Sequence, residues 1–132
     1  SAGGETAGRA ALSAKRLYDA IDDADQVSCR PDVAVLIYPA YLVNDERTGL
    51  REDVVVTRES PPMFLAHAFD DPVVPETSLY LLLALKKAGV PSELHVYDAG
   101  GHGYGLRAVD HLPVTSWTGR CADWLRRREW AH

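Results

Sequence analysis

Three short runs with strand character, two apolar and one alternating, together with the helix-forming stretches around them, constrain the fold of this chain more than any other feature. Residues 33–38, ended by Pro39, form a continuous apolar run that is typical of a strand buried on both faces of a parallel sheet. A second strand is predicted at residues 63–67 and a third at residues 93–97. Because helical patterns alternate with these runs, the sequence predicts an α/β fold, a parallel sheet with helices outside it.

Helix signals surround the runs. A stripe near the N-terminus indicates a helix that begins at the glycine pair and continues to residue 21, before an acidic, solvated turn at residues 22–25. The stripe consists of Ala10, Ala14, Leu17, Tyr18 and Ile21. A second helix is predicted from Pro75 through residues 78–87, with Gly89 after its end and Pro91 preventing continuation.

A final helix and a loop complete the predicted order. The helix is indicated by a C-terminal apolar stripe, and arginines 126–128 lie near its end, where positive charge is favourable. The stripe consists of Trp117, Cys121, Trp124 and Leu125. Residues 43–60 are polar and mixed, which predicts a loop or a small insertion.

Composition excludes several classes of function. The 132 residues suffice for one domain, and a net charge of -5 without a basic cluster argues against nucleic-acid binding. No apolar run approaches the ~20 residues of a membrane span. The spacing of Cys29 and Cys121 fits neither a disulfide scaffold nor a metal site, and we expect each to pack as a small apolar side chain. No cofactor or metal is expected, and the compartment stays open.

The chain opens on Ser1-Ala2-Gly3-Gly4, which matches the second half of the nucleophile-elbow signature G-x-S-x-G. The first glycine of that signature would fall before residue 1. A serine at a helix N-terminus has backbone N–H groups directed at developing negative charge, which suits a nucleophile. On its own, Ser1 is better explained as a helix N-cap.

An aspartate and a histidine follow in an informative order. Asp71 comes after the second predicted strand, and His102 lies in a loop with glycines at positions 100, 101, 103 and 105. The order Ser, Asp, His is that of the α/β-hydrolases and differs from those of chymotrypsin and subtilisin. Histidine would activate the serine, and a buried carboxylate would orient the histidine. Asp70 and Asp71 also fit a simple turn before Pro72.

The sequence around the other histidines gives less indication of a catalytic role. We interpret His67, at the end of a strand, as a core or supporting residue rather than a base. His95 falls within a strand, and His111 and His132 have no supporting context.

The chain resembles the C-terminal half of an α/β-hydrolase. The likeness is closest to the esterase/lipase branch that includes acetyl xylan esterase-like and dienelactone hydrolase-like enzymes, and the chain is also similar to the catalytic domain of prolyl oligopeptidases. The matching stretches are residues 1–4, 35–39, 67–75, 86–91, 93–97, 100–105 and 124–125.

This resemblance implies roles for individual residues. Ser1 would be the nucleophile, Asp71 the acid and His102 the base, and the backbone N–H of Ala2 would contribute to the oxyanion hole. Asp71 is preferred over Asp70 because the family aspartate lies four residues after the histidine at the strand end, here His67.

Two departures from the family pattern matter. Glu5 stands where relatives often have histidine, and the strand and second oxyanion donor that accompany the elbow would precede residue 1. We therefore expect residues 1–132 to be a partial hydrolase domain, from the elbow to the C-terminal helix, with the N-terminal strands missing. Its partner would be the missing half of the same fold, and the strand at residues 33–38 would have an unpaired apolar edge.

The expected function is that of a serine carboxylesterase-type hydrolase acting through an acyl-enzyme. Its substrate would be a small-molecule or carbohydrate ester, with an acetyl ester as one option, and we expect the isolated chain to have little activity. The alternatives are a prolyl oligopeptidase-type peptidase and a non-catalytic, truncated hydrolase-fold module. An N-terminal nucleophile hydrolase is disfavoured, because that class needs layered antiparallel sheets.

Overall fold

A three-stranded parallel sheet organises the chain in this computed structural model, which describes residues 1–13, 15–108 and 111–130. The strands lie in the order β1-β2-β3, and both neighbouring pairs are parallel. The α/β fold with three parallel strands flanked by helices is therefore confirmed. The elements are α1 (Ala2–Leu12), β1 (Ala34–Ile37), β2 (Met63–Ala68), α2 (Glu76–Ala88), β3 (Glu93–Tyr97) and α3 (Trp117–Arg127), with short 3₁₀ helices at Asp23–Gln26 and Pro113–Ser116.

The central strand β2 divides the core into two layers. All six of its residues are buried, and their side chains alternate between the two faces of the sheet. On one face, Met63 and Leu65 pack in a cluster with Leu81 and Leu85 of α2 and Ala11 of α1. On the other face, Phe64 and Ala66 pack against Cys121 and Trp124 of α3. Burial on both faces explains why β2 is apolar apart from His67. The expectation that β1 is likewise buried on both faces is wrong, because Ala34 and Leu36 are buried whereas Val35 is exposed.

The predicted limits of α2 are confirmed. Pro75 precedes the first helical residue, and its fixed φ suits that position. Gly89 ends the helix with φ of 76°, a left-handed conformation that glycine adopts without steric cost. Because both terminators act locally, the helix forms where the sequence pattern places it.

The predicted extent of α1 is wrong. The helix ends at Leu12, whereas Leu17 and Ile21 of the expected stripe are 94% and 85% exposed. After the helix, Arg16 pairs with Asp25, and Asp25 Oδ2 accepts the backbone N–H of Ile21 at 2.8 Å. These polar contacts hold a compact turn in place of further helical turns. Ala14 of the stripe lies outside the described residues.

The stretch at residues 43–60 forms no regular element beyond an isolated antiparallel bridge between Val43 and Leu50, so its prediction as a loop is confirmed. Asn44 Oδ1 accepts the backbone N–H of Thr48 at 2.9 Å, which closes the turn within it.

The two cysteines differ. Cys121 is buried against the sheet, and burial raises the pKa of its thiol. Cys29 is exposed, so the expectation that both pack as apolar side chains is wrong for Cys29. Among the described residues, no helix has the length and apolar character needed to cross a bilayer.

Candidate active site

Asp71 lies in the turn that follows β2. Its backbone N–H bonds to the carbonyl of Ala68 at 3.3 Å, and its Oδ1 accepts the N–H of Val73 at 2.7 Å. The turn therefore has the Asx-type geometry that an aspartate before proline favours. The side chain of Asp71 is completely buried, although the segment leaves the sheet. A buried carboxylate needs further polar partners, because an unpaired buried charge is very costly.

His102 supplies one such partner. Its Nδ1 lies 2.8 Å from Oδ2 and 3.0 Å from Oδ1 of Asp71, and 28% of its side chain is exposed. The loop that delivers it follows β3, and Gly101 and Gly103 there have φ of 60° and 75°. L side chains rarely adopt these angles, which explains why the loop is rich in glycine. The acid–histidine contact that the sequence indicated is therefore present in the structure.

The contact with Asp71 determines which nitrogen of the His102 ring is free to accept a proton. With Asp71 accepting from Nδ1–H, the lone pair of the neutral ring lies on Nε2 of His102. A carboxylate in this position also stabilises the imidazolium that forms when Nε2 takes a proton. The pair has the chemistry of a general base held by a buried anion.

The neighbouring carboxylate makes a different contact. Asp70 is exposed, and its Oδ1 accepts the backbone N–H of Gly101 at 2.8 Å. Asp70 thus ties the loop after β2 to the loop after β3, whereas Asp71 touches the His102 ring. Both aspartates therefore contact the loop after β3: Asp70 binds the backbone of Gly101, and Asp71 binds the side chain of His102.

Ser1 stands at the N-terminus of α1, and Ala2 is the first helical residue. A Cβ added to Gly4 would lie 2.9 Å from Pro39 Cα, so the first turn of α1 packs tightly against the carboxyl end of β1. Next to Pro39, the ring of Tyr38 lies 5.2 Å from the His102 ring. The start of α1 and the His102 ring therefore both lie near the carboxyl end of β1. Within the described residues, no hydrogen bond joins the Ser1 hydroxyl to His102.

Tyr38 is a site residue that the sequence analysis missed. It has φ of 39°, an unusual value for a bulky residue, and its ring also packs edge-on against Tyr104 at 4.7 Å. The only sequence signal is an aromatic residue between a strand and a proline. Ser78, which contacts His67 from α2, was also missed, although a buried polar residue within an apolar helix is a recognisable signal.

Of the remaining histidines that the structure describes, His67 alone contacts Asp71, with its Nε2 at 3.2 Å from Oδ2. His67 is buried, His95 pairs with Glu93 at 2.7 Å, and His111 is exposed in a turn. His132 lies outside the described residues. Across residues 1–13, 15–108 and 111–130, no three His, Cys, Asp or Glu side chains gather as metal ligands.

The sequence matches one family model. The model is that of the prolyl oligopeptidase family, and it matches residues 45–127, which include the loops of Asp71 and His102. Comparison with curated protein sequences gives no significant match.

Solved structures of hydrolases are similar to the whole chain. An acetyl ester-xyloside bifunctional hydrolase from Caldicellulosiruptor lactoaceticus is 34% identical with a TM-score of 0.83, and the match covers 100% of this chain and 56% of that one. An α/β-hydrolase enzyme from a Medee basin deep-sea metagenome library is 31% identical with a TM-score of 0.73, covering 96% of this chain and 51% of that one.

A third similarity bears on the fold alone. Thermogutta terrifontis esterase 2 is 24% identical with a TM-score of 0.73, and the match covers 98% of this chain and 53% of that one. The chain therefore spans about half the length of the solved hydrolases that it matches.

Proposed function

Because this chain belongs to the prolyl oligopeptidase family of α/β-hydrolases, we propose that it carries the catalytic triad of a serine hydrolase that cleaves carboxylic esters. The observation that carries the proposal is the 2.8 Å contact between His102 Nδ1 and the buried Asp71 carboxylate. Both residues follow parallel strands at the edge where α/β folds gather their ligand-binding groups. Residues 1–132 would form part of the catalytic domain, completed by the other half of the same fold.

In the proposed mechanism, His102 Nε2 takes the proton from Ser1 as the serine oxygen attacks the ester carbonyl. The backbone N–H of Ala2, at the N-terminus of α1, stabilises the resulting oxyanion. The imidazolium, stabilised by Asp71, then gives its proton to the departing alcohol and leaves an acyl-enzyme. Water attacks the acyl group with the same histidine as base, which releases the carboxylic acid and restores the serine.

An acetyl ester of a carbohydrate is the substrate class that we favour. The support is the 34% identity to a hydrolase described as acting on acetyl esters and xylosides. The site itself needs no cofactor for this reaction, since its own serine, imidazole and carboxylate supply all the proton transfers. The substrate is proposed as the only partner apart from the other half of the fold, and we propose neither nucleic-acid nor membrane binding.

A peptidase is the second candidate, favoured by the description of the family whose model matches residues 45–127. The same triad can cleave amides, and the difference depends on the leaving group and on the groups that bind the peptide. A non-catalytic module of hydrolase fold is the third possibility. Such a module differs from the esterase and the peptidase because it requires no catalytic role for Ser1.

The test compares p-nitrophenyl acetate, acetylated xylo-oligosaccharide and a prolyl p-nitroanilide peptide as substrates of the full-length gene product. We expect ester turnover and labelling of Ser1 by diisopropyl fluorophosphate. Ser1→Ala should remove both, whereas Ser13→Ala, at the C-terminus of α1, is the matched control that should leave both unchanged. Cleavage of the peptide alone would favour the peptidase, and ester turnover that survives Ser1→Ala would overturn the proposed nucleophile.

A further inference from the structure

A second histidine, His67, lies against the carboxylate of Asp71. His67 belongs to β2, its side chain is completely buried, and its Nε2 lies 3.2 Å from Asp71 Oδ2. On the other side of the ring, Nδ1 lies 2.8 Å from Ser78 Oγ on α2. The Asp71 oxygen lies off the direction of the Nε2–H bond, and Nε2 has no other polar partner within the described residues.

The surroundings determine which nitrogen of His67 holds the proton. Burial lowers the pKa of His67, which keeps the ring neutral, with one protonated nitrogen. A lone pair on Nε2 would face the Asp71 anion without water between them, which is unfavourable. With the proton on Nε2, the ring instead presents an N–H to the anion, and the hydroxyl of Ser78 donates to Nδ1.

We propose that His67 is a positioning residue for Asp71, with Ser78 fixing the tautomer that places the positive end of the Nε2–H bond beside the carboxylate, 3.2 Å from Oδ2. The inference rests on the proposed function, since it assigns a supporting residue to the same triad. Two donors then hydrogen-bond to Asp71, the Val73 N–H on Oδ1 and the His102 ring on Oδ2, and the Nε2–H of His67 lies beside Oδ2 as an off-axis electrostatic contact. The two hydrogen bonds and the contact with His67 together oppose rotation of the buried carboxylate and hold it toward His102.

A space-filling role is the competing explanation for His67. A residue that only fills space in β2 could be replaced by phenylalanine, whose ring has a similar size but no N–H. A role as general base is excluded by the complete burial of the side chain. The two remaining roles differ in whether the N–H itself matters, and this difference is measurable at His102.

The measurement is the tautomer of each histidine in the full-length gene product, read from long-range ¹H–¹⁵N correlation spectra at pH 8. We expect neutral His67 to carry its proton on Nε2 and neutral His102 to carry its proton on Nδ1. In His67→Phe, the ratio of the Nδ1–H to the Nε2–H tautomer of His102 should fall about fivefold, because an off-axis contact is weaker than a full charge-assisted hydrogen bond. Ser78→Ala should leave His67 in a mixture of tautomers.

Two amide variants provide a matched pair. The side-chain nitrogen of glutamine reaches about as far as Nε2 of histidine, whereas that of asparagine reaches only about as far as Nδ1. His67→Gln should therefore keep His102 in the Nδ1–H form, and His67→Asn should release it. His95→Gln, on the adjacent strand β3, is the control that should leave His102 unchanged.

The outcomes separate this inference from the proposed function. A proton on Nδ1 of His67, or a His67→Phe variant with wild-type tautomers at His102, would overturn the positioning role while leaving the triad intact. Absence of ester hydrolysis together with the expected tautomers would overturn the function and not the contact. If His67→Phe fails to fold, the wild-type spectrum and Ser78→Ala decide the question.

Discussion

Two adjacent aspartates at the end of β2 are expected to differ sharply in their importance. Asp71→Asn should lower kcat for ester hydrolysis by about 10⁴-fold, because an amide at Nδ1 favours the wrong tautomer of His102. Asp70→Asn should lower kcat by less than about tenfold, since its side-chain oxygen can still accept from Gly101. Steady-state kinetics of the full-length gene product would check both variants. The reverse ranking would show that Asp70 is the acid.

His67 also predicts a dependence of stability on pH. Its ordinary pKa is 6.5, and burial lowers that value in the folded chain, so the unfolded chain binds the proton more readily. The stabilising effect of a neutral His67 is complete above about pH 6.5 and is lost as the pH falls toward the lowered pKa. Between pH 7.5 and 5.5 we expect His67 to reduce the free energy of unfolding by up to about 1 kcal/mol.

Urea unfolding of wild type and His67→Gln at these two pH values isolates this effect, because glutamine does not titrate. The loss of stability on acidification should be smaller in His67→Gln, and His95→Gln should not reproduce that reduction. Equal losses in wild type and His67→Gln would contradict the buried, neutral state of His67.

At the scale of the element, the packing of α1 on β1 depends on one glycine. A Cβ at Gly4 would lie 2.9 Å from backbone Cα of Pro39, and backbone cannot move aside as a flexible side chain can. We expect Gly4→Ala to lower the free energy of unfolding by about 1–3 kcal/mol, as overpacking does.

Gly3→Ala is the matched control, because nothing lies within 4 Å of the added Cβ and alanine favours the helix. It should raise the free energy of unfolding by up to about 1 kcal/mol. Chemical denaturation of both variants would test the pair. Similar effects for the two would mean that the first turn of α1 does not rest on the end of β1.

Most elements were predictable because their signals are local. The apolar runs that contain β1 and most of β2, and the terminators Pro75 and Gly89 of α2, act within a few residues, and the structure has the elements there. The end of α1 was not predictable in this way. The stripe through Leu17 has helical spacing, but Arg16 and the backbone of Ile21 bind Asp25 instead.

The residues of the site differ in how far the sequence predicts their positions and contacts. Asp71 and His102 follow strands, so the topology alone brings their loops to one end of the sheet. The contact of His67 with Ser78 depends on how α2 is rotated against β2, which no local pattern specifies. Tyr38 is a further example, since neither its positive φ nor the approach of its ring to His102 is specified by a local pattern. Roles that depend on packing between elements therefore cannot be predicted from local sequence patterns.

At the scale of the whole molecule, the two outer strands, β1 and β3, differ in the side chains that they carry along the edges of the sheet. Within the described residues, β1 and β3 each pair only with β2. β1 consists entirely of apolar residues, whereas β3 carries Glu93, which bonds to Arg127 at 2.6 Å, and His95. Charged side chains on an edge strand discourage pairing with another chain, and an apolar edge invites it.

We therefore predict that the 132-residue chain self-associates through β1. Light scattering at increasing concentration should give an average mass above the 14.5 kDa of one chain. Val35 of β1 is 37% exposed, and Val35→Lys should restore the mass of a monomer by adding a charge to the apolar edge. Val96 of β3 is 42% exposed, and Val96→Lys is the matched control that should leave the association unchanged. If both lysine variants dissociate the chain equally, general surface charge rather than the β1 edge governs association; if neither does, the contact lies elsewhere on the molecule.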